Sequence, residues 1–402
     1  MKTALIALGA ILLALIAASA LWWFRPWSAF SPAEVYAFSK AEDRREAYRA
    51  METIYPHRVI AASPAPRAFP RAERGLDPDA YALPDGTRVG LDDYAERRKM
   101  TGLMVVADGE VVLERYFGGE TADDRHTSWS VAKSVIATLI GRALMDGEIA
   151  SLDDPAARYA VEYEGTPYGG VSIRHLLMMS SGIDFDEDYE TDGSDIRRLF
   201  FGTFFWNRDV DEIVRAYGQD RPAGRDFDYI SSNTAVLTAV LRGAYDGRPV
   251  PSLAEEFVFA PLGMGAGTWL TDAEGGKALG YCCLQITLED YAKLGQLYLD
   301  DGLAGGVRVI PEGWADFVAT PPQPSHEPGA GDTLAAHGYG HHFWVPPGAD
   351  GESYMSGYNG QIVWIDTKRD AVVAMTSADL DWPGAKAAFV PMARALAGAA
   401  AR

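Results

Sequence analysis

Residues 128–144 have the sequence Ser128-Trp-Ser-Val-Ala-Lys-Ser-Val-Ile-Ala-Thr-Leu-Ile-Gly-Arg-Ala-Leu144, and the rest of the chain is organised around them. After Ser130 the stretch is almost wholly apolar and has no Gly or Pro before Gly141, which predicts a buried helix. An ammonium group removed from water is costly, so Lys133 needs a reason to be there. Residues three apart share a helix face, which makes Ser130 and Lys133 neighbours. A hydroxyl, an amine that can lose its proton and the free N–H groups of a helix start together suit an acyl-transfer nucleophile.

The overall composition is that of a globular protein. The 402 residues are 48% hydrophobic and 23% charged, enough for one large two-lobed domain or two ordinary ones. The formal net charge of −20 argues against nucleic acid and against an anionic membrane surface as partners. The only two cysteines, Cys282 and Cys283, are adjacent. Adjacent cysteines rarely bridge each other because the geometry is strained, so no disulfide framework is expected and the redox compartment stays open.

The N-terminus carries one long apolar run, from Thr3 to Phe24. A run of this length spans a bilayer as a helix, and tryptophans at its far end suit the membrane interface. Ala18-Ser19-Ala20 also matches a signal-peptide cleavage site. We favour an uncleaved anchor over residues 1–28, because the run is long for a signal peptide, and keep the cleaved signal as the alternative. In both cases the body, residues 29–402, is expected to be exported: anchored in the inner membrane and facing the periplasm, or periplasmic or secreted after cleavage.

Strand signals lie near both ends of the body. Residues 102–117 hold two β-rich runs around Asp108-Gly109, which predicts a hairpin, and residues 361–376 predict a second one. From about 141 to 335 the patterns are mostly those of helices and loops, and residues 384–402 predict a closing helix.

These signals predict an α+β fold. One antiparallel sheet is built from both ends of the body and flanked by helices. The sheet lobe is expected over about 85–140 and 336–402, with an inserted all-helical lobe over about 141–335.

Other catalytic and metal motifs do not occur in the sequence. There is no Gly-x-Ser-x-Gly, and the seven histidines form no His-Glu-x-x-His and no Cys/His metal spacing. The acidic run from Asp184 to Asp195 opens like a calcium loop, but Tyr189 stands where that loop requires glycine. We therefore expect no metal and no cofactor.

A further motif, Phe227-Asp-Tyr-Ile-Ser-Ser-Asn233, lies just before an apolar helix. Ser-x-x-Lys, then Tyr-x-Asn or Tyr-x-Ser before a helix, then a Lys-Thr-Gly-like triplet on a late strand resembles the penicillin-recognising serine hydrolases. These include class C β-lactamases, D-alanyl-D-alanine peptidases, related esterases and 6-aminohexanoate-dimer hydrolase. Residues 103 to about 390 follow the pattern in order, and residues 181–189 look most like the 6-aminohexanoate-dimer hydrolase branch.

The resemblance implies roles for four residues. Ser130 would be the acylated nucleophile, and Lys133 and Tyr229 would share the proton relay, with either one as the base. Ser231 stands where many members have asparagine. Asn233 is the alternative for that polar contact.

The late triplet is Met355-Ser356-Gly357. Gly357 would let the strand approach the substrate closely, and the N–H groups of Ser130 and Tyr358 would form the oxyanion hole. In the family a lysine at the first position helps to bind the carboxylate of β-lactams and D-alanyl peptides. Met355 cannot, which disfavours those substrates unless an arginine such as Arg198 or Arg225 supplies the charge.

The expected function is that of a serine hydrolase that forms a covalent acyl-enzyme on ester or amide bonds of small substrates. Within it, a carboxylesterase and a 6-aminohexanoate-oligomer amidase are both open. The alternatives are a D-alanyl-D-alanine peptidase or β-lactamase-like cell-wall enzyme, a catalytically silent binding protein on the same fold, and a structural membrane-anchored protein. The expected partner is a small ester or amide, with no nucleic acid and with the membrane contacted through the N-terminal segment only.

Overall fold

The computed structural model describes residues 2–28, 30–40, 43–74, 76, 81–82, 86–330 and 337–401. Residues 56–80 are rich in proline, alanine and arginine, which predicts an extended segment, and part of it lies outside the described residues. The strands, in chain order, are β1 (His57–Ile60), β2 (Tyr81–Ala82), β3 (Arg88–Val89), β4 (Met100–Ala107), β5 (Glu110–Tyr116), β6 (His126–Thr127), β7 (Gly267–Leu270), β8 (Leu284–Ile286), β9 (Leu303–Ala304), β10 (Val307–Arg308), β11 (Gly338–Tyr339), β12 (Trp344–Val345), β13 (Glu352–Gly357), β14 (Gln361–Asp366) and β15 (Ala371–Ser377).

The helices are mostly short, apart from those at the two termini and three in the body. They are α1 (Lys2–Phe24), α2 (Pro32–Lys40), α3 (Arg45–Arg49), α4 (Met51–Ile54), α5 (Leu91–Arg97), α6 (Val131–Asp146), α7 (Ile173–Leu177), α8 (Asp195–Phe200), α9 (Val210–Val214), α10 (Ser231–Ala244), α11 (Val250–Ala254), α12 (Ala260–Leu262), α13 (Leu288–Leu299), α14 (Trp314–Ala319) and α15 (Trp382–Ala400).

The main sheet has seven antiparallel strands in the order β11-β12-β13-β14-β15-β4-β5. Both ends of the body contribute to it, because β15 pairs with β4 from Ala371 opposite Ala107 to Ser377 opposite Met100. β4 is buried on both faces, as its apolar sequence requires, and the β4–β5 turn has positive φ at Asp108 and Gly109. The expected α+β fold and both hairpins are confirmed.

Helices cover both faces of this sheet. α13 packs on β14 and β15, α6 contacts β13 and β14, and α15 packs on the opposite face against β4 and β15. α6 is buried along most of its length and ends at Gly147, whose φ of 81° forms a left-handed C-terminal turn. The helix that carries the Ser-x-x-Lys is therefore held between the sheet and the inserted lobe.

The inserted lobe is not all-helical, which corrects the sequence-based expectation. A second, four-stranded sheet in the order β1-β7-β8-β6 draws two of its strands from this region. Each of its strands has only two to four residues, too short to give a period-two pattern in the sequence. Its edge strand β6 leads directly into Ser128, so this sheet fixes the start of α6.

Candidate active site

Ser130 occupies the position just before the first turn of α6, at the junction between the second sheet and the helix. The helix begins at Val131, directly after Ser130, as the sequence pattern predicts. Ser128 anchors the junction: its N–H donates to the Leu284 carbonyl at 2.8 Å, and its Oγ accepts from the Leu284 N–H at 2.9 Å. Trp129 has a φ of 44°, a strained conformation for a bulky residue, so the turn before Ser130 is tightly determined by its surroundings.

Lys133 is buried, and its amine is surrounded by three oxygen atoms. Nζ lies 2.8 Å from the Ser130 Oγ, 3.0 Å from the Ser231 Oγ and 2.8 Å from the Tyr281 carbonyl oxygen. Burial lowers the pKa of Lys133 to about 8, and the negative charge of Glu187 opposes this change. The site therefore contains a lysine that can be neutral near physiological pH, in hydrogen-bonding contact with a serine.

Ser231 connects Lys133 to Glu187. The Ser231 N–H donates to the Glu187 carboxylate at 2.8 Å, and the Ser231 hydroxyl donates to the other carboxylate oxygen. Tyr189 donates to that same oxygen at 2.6 Å. Enclosure of the carboxylate raises the pKa of Glu187, and the nearby charge of Lys133 opposes this change. A continuous polar chain thus runs from the Tyr281 carbonyl through Lys133 and Ser231 to Glu187.

Tyr229 approaches Ser130 from another side. Its ring centre lies 5.2 Å from the Lys133 Nζ, and its hydroxyl is hydrogen-bonded to the Ser130 side chain. Trp344 and Tyr339 pack against the ring, with centroids 5.3 and 5.8 Å away. Burial raises the pKa of Tyr229 well above its usual value. The phenol is therefore held in its neutral form, where it can donate and accept a proton in turn.

The last residues of β13 pass beside the start of α6. A Cβ at Gly357 would lie 2.2 Å from the Ser128 carbonyl oxygen, so only glycine allows this approach. The next residue, Tyr358, contacts the Trp129 ring at 6.0 Å. This brings the backbone of residues 357 and 358 beside Ser130, where the resemblance to the family implies an oxyanion hole.

Met355 is buried in the hydrophobic core that also contains the apolar side chains of α6. It lies two residues before Gly357, on the same face of β13. Ser356, which points to the other face, is also buried. Of the two arginines considered as substitutes for the missing lysine, Arg198 lies in the cleft described below and pairs with Asp195. Arg225 is exposed and pairs with Asp226.

Cys282 and Cys283 form a disulfide, which corrects the expectation that they do not bridge. Both are buried, and Cys283 has a φ of 72°. The bond closes a small ring that follows Tyr281, whose carbonyl accepts from Lys133, and precedes Leu284, which pairs with Ser128. The expectation failed because adjacent cysteines bridge only when the peptide between them is held in an unusual turn, and the surrounding fold holds it here.

A cleft of about 610 Å³ opens beside these residues. Its walls are mainly aromatic, and five charged side chains lie around it. The lining includes Tyr55, Trp129, Tyr189, Phe200, Phe201, Phe204, Phe205 and Tyr358, together with Arg44, Glu190, Asp192, Arg197 and Arg198. Trp129, which directly precedes Ser130, lines one end of the cleft together with Tyr358, whose ring contacts it.

The structure brings together the residues that the sequence pattern singled out. Lys133 contacts Ser130, Ser231 and the Tyr229 ring, whereas Asn233 bonds to Tyr168 and Met179 away from Lys133. Two groups were missed. Glu187 lay within a run considered only as a possible calcium loop and as a family-like stretch, and the Tyr281 carbonyl has no side-chain signal at all. Among the described residues, no group of three His, Cys, Asp or Glu could hold a metal ion.

Comparisons with known proteins identify the family and the fold. The family model described as Beta-lactamase matches residues 91–397. A 6-aminohexanoate-dimer hydrolase from Paenarthrobacter ureafaciens is 27% identical over 367 residues, covering 89% of this chain and 90% of the relative.

Two solved structures are similar in fold. A candidate 6-aminohexanoate-dimer hydrolase from Bacillus anthracis superposes with a TM-score of 0.78 at 22% identity, covering 89% of this chain and 96% of that one. A penicillin-binding protein from Bacillus halodurans superposes with a TM-score of 0.59 at 17% identity, covering 75% and 98%.

Proposed function

The chain belongs to the Beta-lactamase family, and on that premise we propose that it is a serine hydrolase that cleaves ester or amide bonds through an acyl-enzyme on Ser130. One observation carries the proposal: the amine of a buried lysine lies 2.8 Å from the Ser130 Oγ. A neutral amine at this distance can accept the hydroxyl proton as the oxygen attacks.

In the proposed acylation step, Lys133 begins as the neutral amine. Its Nζ donates to Ser231 and to the Tyr281 carbonyl and accepts the proton of the Ser130 hydroxyl. The Oγ forms a bond to the carbonyl carbon, and the N–H groups of Ser130 and Tyr358 stabilise the oxyanion. Tyr229 donates its phenolic proton to the leaving group, whose bond to carbon then breaks, and the Lys133 ammonium returns a proton to Tyr229, which restores the neutral amine and the neutral phenol. Water repeats the sequence on the acyl-enzyme and releases the acid.

Lys133 rather than Tyr229 is proposed as the base. Burial acts on the two groups in opposite directions, because it disfavours the charged form of each. It lowers the pKa of Lys133 to about 8 and raises the pKa of Tyr229, so near neutral pH the amine is far more readily available as a base than the phenolate. Tyr229 then serves as a neutral proton carrier.

The proposed substrates are uncharged esters or linear amides. Buried Met355 offers no cation to a substrate carboxylate, and the cleft beside Ser130 is mainly aromatic. The name of the 27% identical relative, a 6-aminohexanoate-dimer hydrolase, supports a linear amide as one member of this class. A silent binding protein on the same fold is not favoured, because binding alone does not require a serine, a lysine and a tyrosine in mutual contact.

The test is covalent labelling of the intact protein with a fluorophosphonate, followed by mass spectrometry and mapping of the adduct. We expect one adduct on Ser130 in the wild type and none in Ser130→Ala. Hydrolysis of p-nitrophenyl acetate should fall by several powers of ten in the same variant. Ser134→Ala, one turn further along α6, is the matched control and should keep both. An adduct elsewhere, or more than about a tenth of the wild-type rate in Ser130→Ala, would overturn the assignment.

We further propose that α1 is an uncleaved anchor and that the body is exported. The helix Lys2–Phe24 is long and apolar enough to cross a membrane and has no buried residue. A signal peptide near the N-terminus has the same properties, so intact-mass measurement of the native protein distinguishes the two. A reporter fused after Arg402 should be active only outside the cytoplasm. Activity in the cytoplasm alone would contradict export.

A further inference from the structure

Residues 200–206, Phe-Phe-Gly-Thr-Phe-Phe-Trp, join the cleft to the membrane anchor. The segment makes a wide turn, in which the Trp206 N–H donates to the Phe201 carbonyl five residues earlier. Four of its rings form two stacked pairs. Phe200 stacks on Phe204 at 5.4 Å, and Phe201 stacks on Phe205 at 4.6 Å.

The first pair lies on the catalytic side. Phe200 contacts the Trp129 ring at 6.0 Å and the Tyr281 ring at 5.9 Å, and Phe204 contacts Tyr55 at 4.5 Å. Trp129 precedes the nucleophile, and the Tyr281 carbonyl accepts from Lys133. The inner pair is therefore part of the wall that ends at Ser130.

The outer pair meets the end of α1. Phe205 lies 5.3 Å from the Trp22 ring and 5.8 Å from the Trp23 ring, and Trp206 stacks on Trp22 at 4.7 Å. Arg25 adds hydrogen bonds to Asn207 and, at 3.4 Å, to the Phe205 carbonyl. Tryptophans at the end of a membrane-spanning helix lie at the lipid headgroups, so the segment packed on them lies there too.

An aromatic surface patch surrounds this contact: Phe24, Trp27, Tyr36, Phe201 and Trp206. Each of these side chains is at least half exposed. Tyr36 adjoins Trp23 at 5.8 Å, and Phe201 adjoins Trp206 at 6.0 Å. Large aromatic side chains exposed together mark an interaction surface, and at the end of an anchor the partner that fits is the lipid interface.

Resting on the proposed hydrolase activity, we propose that residues 200–206 hold the mouth of the cleft at the bilayer surface, so that the enzyme takes amphiphilic esters or amides from the membrane. The substrate's apolar chain would pass between the aromatic walls of the cleft. Its polar end would remain among the charged side chains that surround them. Because the chain carries a net charge of −20, neutral lipid is the surface it favours.

The test uses the full chain in vesicles of egg phosphatidylcholine and two uncharged substrates. p-Nitrophenyl decanoate partitions into the bilayer, and p-nitrophenyl acetate remains in water. Trp206→Ser removes an exposed ring that does not line the cleft. We expect it to lower the ratio of decanoate to acetate hydrolysis by roughly tenfold, with the acetate rate unchanged. Val307→Ser is the matched control, since it removes an exposed apolar side chain from the β9–β10 hairpin, which packs on α13.

A second variant keeps the test informative if Trp206→Ser fails to fold. A Gly/Ser spacer of about 20 residues inserted after Ser28 leaves every side chain intact but lets the body move roughly 25 Å from the membrane. It should lower the same ratio. If the wild type and Trp206→Ser give equal ratios while both hydrolyse the acetate, the membrane inference is overturned and the hydrolase proposal stands. If the wild type hydrolyses neither ester, the hydrolase proposal itself fails.

Discussion

The polar chain from Tyr281 to Glu187 and the aromatic wall of the cleft meet at Ser130, and their charged groups are placed differently. In the polar chain, the Lys133 amine lies within hydrogen-bonding distance of three oxygen atoms. One of them, the Ser231 hydroxyl, is in turn bonded to the Glu187 carboxylate. The wall consists mainly of aromatic rings, and its charged side chains lie around those rings. In the proposed mechanism, the polar chain moves protons and the aromatic wall holds apolar groups of the substrate.

This difference bears on the pKa of Lys133. Exclusion of water lowers the pKa of Lys133, and the carboxylate of Glu187 raises it. The balance between burial and this nearby negative charge leaves the pKa of Lys133 at about 8. Two substitutions test the role of charge: one adds a charge at Met355 in the apolar core, and the other removes a charge from the polar chain.

The largest effect is expected from a charge added at Met355. The wild type should hydrolyse a neutral ester at least about tenfold faster than its carboxylate analogue, because a charge-assisted hydrogen bond of about 1.5–3 kcal/mol is missing. Met355→Lys should bring the rates on the neutral ester and on its carboxylate analogue closer together. It should also lower the free energy of unfolding by a few kcal/mol, because the site is buried. Steady-state kinetics on the matched pair and a urea titration measure the two effects.

Met355→Leu is the control for this prediction, because it keeps the volume and the apolar character. It should leave the substrate ratio unchanged. A wild type that prefers the carboxylate analogue by roughly tenfold would show that another cation serves the site. Arg198, which lies in the cleft, would then be the residue to replace.

A smaller effect is expected from a charge removed at Glu187. The rate constant kcat should rise with pH as Lys133 loses its proton, with a midpoint near the pKa of about 8. Glu187→Gln keeps a hydrogen-bond acceptor for Ser231 but removes the charge that raises this pKa. The midpoint should therefore move to lower pH, and the rate at pH 7 should gain relative to the plateau. A pH–rate profile between pH 5 and 10 measures the shift.

Asp184→Asn is the control here, since it removes an exposed carboxylate three residues away. Its profile should match that of the wild type. A midpoint that stays in place in Glu187→Gln, or moves to higher pH, would show that Glu187 does not act on Lys133 through its charge. Glu187→Asp, which keeps the charge, should retain a midpoint near that of the wild type.

The parts of the fold that were predictable from the sequence have local signals. β4 and β5 are joined by Asp108-Gly109 within a few residues, and α6 is a long apolar run. The second sheet has no such signal. β1 pairs with β7 from a distant part of the chain, and each strand is too short for its pattern to stand out.

The residues of the candidate site also differ in whether they have a local sequence signal. Ser130 and Lys133 are three residues apart on one helix, so their contact follows from helix geometry alone. The resemblance to a family supplied Tyr229 and Ser231. Glu187 reaches the site only through Ser231, and Tyr281 contributes a backbone carbonyl, which any residue type provides. Groups that act through tertiary contact or through the backbone leave no mark in a single sequence.

The packing of Trp22 and Trp23 on Phe205 and Trp206 has a practical consequence for purification. A soluble form made by deleting all of residues 1–28 would uncover the rings of Phe205 and Trp206 beside the cleft. Exposed aromatic rings of this kind favour aggregation. Cutting just before Leu21 removes most of the apolar helix α1 and keeps the two tryptophans that cover that face. The boundary for a crystallisable enzyme therefore lies inside the helix rather than after it.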